Sequence, residues 1–329
     1  MQRIRRILVA VKEPERRAAA AIAKGAQIAR SAGASLELFH ALSTPMQAEA
    51  FLHSGRNLLA AEREIRDRSL IELEKAARRL RSAGIRVTTA ADWDFPAYEA
   101  VVRRAIRIRA DLIVAERHVG RRLAPWLLHL NDWELLRLSP VPVLLVKSAR
   151  RYRRPAVLAT LDPMHAFAKS AGLDREILRV AAGVTNLLGG RLHAMHAYMS
   201  VPPVGVAGQI MSGGMLARLE SEALALARRG FERELTKARI PSARRHLVRQ
   251  FAVDAIPGVA RRIRARLVVM GAVSRSGLRR VFIGNTAERV LDELPCDVLV
   301  VKPPRFRSPV ARARRGVRLV TTPLPMPTY

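Results

Sequence analysis

The feature of this sequence that most limits its fold is an internal repeat. Three pairs of segments match along the chain: residues 140–147 with 295–302, residues 110–115 with 265–270, and residues 6–11 with 156–161. The first two pairs are offset by 155 residues and the third by 150. A repeating unit of about 150 residues has the size of an ordinary domain. The 329-residue sequence therefore predicts two similar domains in tandem.

Each repeat alternates short apolar segments with longer amphipathic ones. Short apolar strands separated by helices are typical of a parallel sheet covered on both faces, with right-handed crossovers. The first repeat predicts strands at residues 7–11, 35–41, 86–91, 112–115 and 143–146. The second repeat predicts strands at residues 157–161, 191–196, 246–251, 267–270 and 298–301.

The boundaries follow from the repeat and from changes in composition. We assign residues 1–148 to an N-terminal domain, residues 149–155 to a basic linker, and residues 156–303 to a C-terminal domain. The remaining residues, 304–329, are rich in proline and arginine. Such a composition buries little apolar surface, so we expect this tail to be disordered.

A glycine-bearing loop follows the fourth predicted strand of the second repeat. The strand ends at Gly271, and Gly284-Asn285-Thr286 opens an amphipathic helical pattern. A strand, a glycine-bearing loop and a helix N-terminus together place unpaired N–H groups where a phosphate can bind. The same pattern also describes a tight turn without a ligand, and the spacing alone leaves both interpretations open.

The spacing in this loop resembles a known nucleotide motif. Gly271, two residues, Ser274, nine residues and then Gly284-Asn285-Thr286 is similar to the motif of the universal stress protein family. Ser274 stands where that family has a second glycine, and Asn285 stands where it has a hydroxyl residue. The run Gly284-Asn-Thr-Ala-Glu288 and the segment at residues 131–137 are most similar to tandem, E-type members.

The resemblance implies a fold and a partner arrangement. It implies an α/β fold of two tandem Rossmann-like units of the adenine nucleotide alpha hydrolase-like type. Each would have a five-stranded parallel sheet of strand order 3-2-1-4-5, with helices on both faces. The two units are expected to form an intramolecular pseudo-dimer through their last strands, and a homodimer of whole chains is an open alternative.

The resemblance also implies a ligand. The family includes ATP binders and members that bind no nucleotide, so we expect either ATP with Mg²⁺ or no cofactor. The ligand-binding residues that the motif implies lie in the C-terminal domain: Thr160, Asp162, Met270, Gly271, Ser274, Ser276, Gly277, Gly284, Asn285 and Thr286. Asp162 matches the aspartate that meets the adenosine portion. Thr286 has the alternative role of capping the helix.

The equivalent positions of the first repeat differ in chemistry. Lys12 follows the first strand where the second repeat has Asp162, and Glu116 replaces Gly271. Val119 and His129 replace Ser274 and Gly284. A carboxylate repels phosphate and the larger side chains occupy its space, so we expect no ATP site of the family's kind in the N-terminal domain.

Two functions of different classes remain open. The first is a cytoplasmic stress-response protein that binds an adenine nucleotide or related phosphate ligand in its C-terminal domain and acts as a ligand-dependent regulator. The second is a nucleotide-free scaffold that binds a protein, a lipid or an anionic polymer through its apolar loop, residues 200–214, or its basic surface. The sequence contains no motif of an acyl-transfer, P-loop or zinc-protease site, so enzyme activity beyond slow ATP hydrolysis is not assigned.

Composition adds limits on partners and location. The chain has 58 Lys and Arg against 28 Asp and Glu, a formal net charge of +30. This charge favours non-specific binding of anionic polymers, or it reflects a general bias toward arginine. The single cysteine, Cys296, is typical of a reducing cytoplasm. No apolar run approaches the roughly 20 residues of a transmembrane segment.

His193 and His196 lie three positions apart on one predicted strand. Because side chains alternate between the two faces of a sheet, we expect these histidines to face opposite sides.

Overall fold

The computed structural model describes residues 4–16, 19–44, 46–47, 57–117, 130–164, 172–199, 213–236, 238–272 and 290–320. These residues form two compact units, each described by itself below. The N-terminal unit contains the described residues up to 150 together with residues 308–320, and the C-terminal unit contains those between 151 and 307. The division between residues 150 and 151 falls inside the segment predicted as a linker.

The N-terminal unit is an α/β sandwich around a five-stranded parallel sheet. Its strands are β1 (Arg6–Ala10), β2 (Ser35–Leu42), β3 (Val87–Trp93), β4 (Leu112–Glu116) and β5 (Val143–Val146). Among the described residues its helices are α1 (Ala20–Ala32), α2 (Leu58–Ser82), α3 (Ala97–Arg107) and α4 (Leu130–Leu138). The strands lie side by side in the order β3-β2-β1-β4-β5 and are parallel.

The C-terminal unit repeats this arrangement. Its strands are β6 (Ala156–Leu161), β7 (Arg191–Tyr198), β8 (Arg245–Arg249), β9 (Leu267–Gly271) and β10 (Asp297–Val301). Its helices include α5 (Leu173–Leu187), α6 (Gly213–Leu235) and α7 (Ala252–Arg262). The strand order β8-β7-β6-β9-β10 is again parallel.

The predicted fold is confirmed in both units. Each predicted strand is present with its ends shifted by no more than two residues, and the strand order is 3-2-1-4-5 counted along each repeat. The central strands are apolar on both faces because both faces are covered. In β1, for example, the four residues from Ile7 to Ala10 are all buried. Burial on both sides is the reason these strands appear in the sequence as continuous rather than alternating apolar runs.

The segment after β10 differs from the expected disorder. Residues 308–320 cluster with the N-terminal unit. The backbone N–H of Arg315 donates to Asp94 Oδ1 at 2.9 Å, and its guanidinium donates to Glu99 Oε1 at 3.0 Å. The short strand Leu319–Val320 pairs in parallel with Met46–Gln47. The tail is ordered along these residues because the N-terminal unit supplies carboxylates and a strand edge that bind it.

The carboxylates that bind the tail belong to a buried ion cluster. Arg103 of α3 donates to both carboxylate oxygens of Asp94, at 2.7 and 2.9 Å, and to Glu99 at 2.9 Å. It also donates to the carbonyl oxygen of Ala311 in the tail, at 3.2 Å. Bidentate pairing of this kind fixes the geometry of both partners. Asp94 and Glu99 are therefore held in place by Arg103 and keep lone pairs for Arg315.

Among the helices that the structure describes, none is long and apolar enough to cross a membrane.

Candidate functional site

The predicted ligand residues fall into two groups in the structure. Thr160, Asp162, Met270 and Gly271 lie at the carboxyl ends of β6 and β9, which are neighbours in the sheet. The other six lie outside the described residues: Ser274, Ser276, Gly277, Gly284, Asn285 and Thr286. In open parallel sheets ligands bind beyond the carboxyl ends of strands where the strand order reverses, and β6 and β9 flank that point.

The end of β6 is held by hydrogen bonds to neighbouring elements. The hydroxyl of Thr160 donates to the carbonyl oxygen of Val269 at 3.4 Å. The backbone N–H of Asp162 donates to Oδ1 of Asp174, in the first turn of α5, at 3.1 Å. Among the described residues, no hydrogen bond or ion pair reaches the carboxylate of Asp162. The main chain of Asp162 is therefore fixed by Asp174.

The end of β9 is packed tightly against α5. Gly271 approaches Leu173, the first residue of α5, so closely that an added Cβ would lie 2.7 Å from its Cδ2 atom. Leu173 is buried. A larger residue here would force the side chain of Leu173 to shift, so packing against the neighbouring helix favours a glycine whether or not a ligand binds. Met270 is 8% exposed and its side chain belongs to the core, which leaves its backbone for any ligand contact.

A histidine, buried in the C-terminal unit and half-buried in the N-terminal one, closes the end of the first strand in each unit, a feature that the sequence analysis missed. His196 Nδ1 lies 3.2 Å from the carbonyl oxygen of Leu161, and His40 Nδ1 lies 2.8 Å from that of Val11. Burial lowers the pKa of His40, against the opposing effect of its bond to Val11. Each imidazole fixes the carbonyl at which the chain leaves the sheet toward the candidate site. The signal in the sequence is that both histidines lie two residues before the end of the second strand of a repeat.

The N-terminal unit has different chemistry at the equivalent place. Lys12, at the position of Asp162, forms an ion pair with Asp132 at 2.7 Å. Glu116, at the position of Gly271, accepts a hydrogen bond from the backbone N–H of Ala20 at 3.1 Å and pairs with Arg16 at 3.2 Å. Ala20 is the first residue of α1, so a carboxylate of the protein occupies the positive end of that helix. Val119 and His129 lie outside the described residues.

No group of three or more His, Cys, Asp or Glu side chains suited to a metal ion occurs in the part of the chain that the structure describes. Cys296, the one cysteine of the sequence, is buried and forms no disulfide within the chain.

The chain is similar to known proteins in both of its units. The model of the universal stress protein family matches residues 3–147 and residues 170–302. Universal stress protein E of Escherichia coli (strain K12) is 30% identical over 239 residues, which cover 70% of this chain and 72% of that protein.

Solved structures agree with these sequence matches. A functionally unknown protein of Pseudomonas aeruginosa PAO1 has a TM-score of 0.67 and 26% identity, covering 92% of this chain and 93% of that one. A putative universal stress protein of Pseudomonas aeruginosa UCBPP-PA14 has a TM-score of 0.65 and 26% identity, covering 92% and 94%. With its two matched domains and its similarity to the E-type proteins along most of their length, this chain belongs to the universal stress protein family as a tandem, E-type member.

Proposed function

We propose that this stress-response protein binds an adenine nucleotide or a related phosphate compound in its C-terminal unit. Binding acts as a signal that changes the choice of partner, without turnover of a substrate. The observation that carries the proposal is the contrast between Asp162 and Lys12. These residues follow the first strand of their repeats, yet Lys12 is paired with Asp132 while the carboxylate of Asp162 has no partner among the described residues.

The residues at this end of the sheet fit the adenosine part of a nucleotide. A free carboxylate accepts hydrogen bonds from vicinal hydroxyl groups, which a ribose presents. Asp162 would hold the ribose, and the backbone of Met270 and Gly271 would line the base. When bound with Mg²⁺, ATP would supply the charged phosphates for which the loop of residues 273–289 has a family-type motif.

The chemistry of the N-terminal unit argues for a single nucleotide site per chain, located in the C-terminal unit. Glu116 places negative charge at the N-terminus of α1 and is held there by two hydrogen bonds. A nucleotide phosphate at this place would meet a like charge. We therefore propose that the two units have separate tasks, with ligand binding confined to the C-terminal one.

The experiment is a binding measurement with matched variants. Purified full-length protein is titrated with ATP and Mg²⁺ by calorimetry, and its melting temperature is recorded at millimolar ATP, which stabilises by mass action if it binds. We expect Asp162→Asn to weaken binding by about tenfold, equivalent to ~1.4 kcal/mol, and Gly284→Asp to abolish it. Asp67→Asn, on the exposed face of α2, is the matched control and should leave affinity unchanged.

The proposal fails if millimolar ATP neither shifts the melting temperature nor gives heat. It also fails if Asp162→Asn and Gly284→Asp bind ATP as the unaltered protein does.

One observation favours the nucleotide-free scaffold. Packing of Gly271 against Leu173 explains this glycine without a ligand, so its presence is not evidence for one. A scaffold would bind a protein, a lipid or an anionic polymer. Most of its apolar loop, residues 200–212 of 200–214, lies outside the described residues. Native mass spectrometry separates the two functions, because a nucleotide-binding protein carries a small molecule of defined mass. We place either function in the cytoplasm, where the thiol of Cys296 stays reduced.

A further inference from the structure

Two histidines of the C-terminal unit meet on the face of its sheet that α7 covers. The parallel register pairs Met195 of β7 with His246 of β8, and His193 lies two positions before Met195 on the same face. Nδ1 of His193 lies 3.1 Å from Nε2 of His246, and the rings are stacked with an interplanar angle of 9°. His196 faces the opposite side, toward Phe231 of α6, as the parity of the sequence predicts.

The direction of the hydrogen bonds in this pair is fixed by an arginine. Arg262, the last residue of α7, places Nη2 3.4 Å from Nδ1 of His246. A guanidinium only donates, so Nδ1 of His246 accepts and its Nε2–H donates to Nδ1 of His193. A neutral His193 then carries its hydrogen on Nε2. The remaining polar atoms of the group are all hydrogen-bond donors.

The charges of the described residues that shift the pKa values of the pair are positive. Burial and the charges of His246, Arg244 and Arg191 lower the pKa of His193 to about 4, and burial and Arg262 lower the pKa of His246. These charges come from β7, from the turn before β8 and from α7. Among the described residues, no carboxylate forms an ion pair with any of the three arginines.

Neighbouring arginines of the same unit behave differently. Arg245 pairs with Glu232, and Arg249 pairs with Glu220 at 3.0 Å. Carboxylates are thus available to neutralise arginines of β8. Arg244, one residue before Arg245, forms no such ion pair among the described residues. This difference is a local feature and does not follow from the net charge alone. The C-terminus of α7 favours a cation at Arg262, but Arg191 and Arg244 do not lie at that helix end.

We propose that Arg191, His193, Arg244, His246 and Arg262 form a binding site for the phosphate group of a small anion. A set of donors without an acceptor, gathered from three elements and carrying unrelieved positive charge, is complementary to an oxyanion. A metal cation is disfavoured, because three guanidinium groups repel it. This His–Arg cluster lies near the beginning of β7 and at the end of α7. The candidate nucleotide site lies elsewhere, at the carboxyl ends of β6 and β9.

The test uses inorganic pyrophosphate and the full chain, at an ionic strength of about 0.15 M where exposed charges are screened. The ring C–H signals of His193 and His246 are followed by NMR and assigned with His193→Gln and His246→Gln. We expect a saturable shift of both signals and a higher pKa of His193 in the presence of pyrophosphate, since an anion favours the charged imidazole. His196, beside Leu161, reports separately on the candidate nucleotide site.

A double variant and a charge-matched control decide the result. Arg244→Gln with Arg262→Gln should weaken the response of His193 and His246 at least tenfold. Arg68→Gln with Arg218→Gln removes the same charge from two exposed ion pairs and should leave it unchanged. Equal weakening in both doubles, no saturable shift, or a response to long nucleic acids but not to pyrophosphate would each overturn the proposal.

Discussion

A Cβ atom added to Gly271 would lie 2.7 Å from Cδ2 of Leu173, well inside the contact distance of packed carbon atoms. We therefore expect Gly271→Ala to lower the free energy of unfolding by about 1–3 kcal/mol, the range for overpacked cores. Denaturant unfolding without any nucleotide measures this effect.

The double variant Gly271→Ala with Leu173→Ala should cost less than the sum of the two single changes, because the smaller side chain removes the clash. Gly258→Ala, within α7 and with open space around it, is the control and should not destabilise. Strict additivity of the two changes would show that the contact is absent.

Glu116, the last residue of β4, caps the N-terminus of α1. Glu116→Ala removes the acceptor of Ala20 N–H and the partner of Arg16, and we expect a loss of about 1 kcal/mol in unfolding free energy. Glu116→Gln keeps an acceptor oxygen and should lose less. Neither variant should gain affinity for ATP, which calorimetry checks. A gain in nucleotide binding would show that this carboxylate alone closes the N-terminal site.

The tail depends on the buried cluster around Arg103. Asp94→Ala leaves the buried guanidinium of Arg103 with one carboxylate instead of two, and we expect a loss of about 3 kcal/mol. Arg315→Ala removes a half-exposed pair and should cost under about 1 kcal/mol. Arg312→Ala, which contacts no described carboxylate, is its matched control.

Hydrogen exchange separates tail docking from overall stability. Deleting residues 308–329 should speed amide exchange in α3, which carries Glu99 and Arg103, more than in the C-terminal unit. If the amides of α3 exchange at the same rate with and without residues 308–329, the tail is not bound in solution.

The histidine pair predicts a pH dependence of stability. His193 has a pKa of about 4 in the folded protein and about 6.5 when unfolded. Between these values the unfolded chain binds more protons, so the stabilisation is complete above about pH 6.5 and is lost as the pH falls toward about 4. His193→Gln should therefore flatten the dependence of the melting temperature on pH in this window. An unchanged slope would contradict the folded-state pKa.

Nucleic acid binding should be weak despite the net charge of +30. Two of the tail arginines already contact carboxylates, Arg314 at Asp92 and Arg315 at Glu99. We expect filter binding to be independent of sequence and lost near ~0.15 M salt, with or without the residues after Lys302. Tight binding at that salt that disappears with the tail would show that the arginines act as a nucleic-acid ligand.

The resemblance to the family implied the strand order, and the sequence by itself determined the repeat and the strands. These features are local or periodic: β-branched apolar runs such as Leu267–Met270 form buried strands wherever they stand, and the alternation of strand and helix leaves few topologies. The alternation of side chains along β7 is equally local. The sequence alone therefore showed that His193 and His196 point to opposite faces of the sheet.

Only the tertiary structure decided which side chains meet. The contact between Gly271 and Leu173 and the pairing of His193 with His246 depend on the register of neighbouring strands and on how a helix packs on them. The docking of Arg315 on Asp94 joins residues 221 positions apart. Composition predicts a disordered tail because it contains no information on distant partners, and the buried carboxylates that order it are assembled only when the N-terminal unit folds.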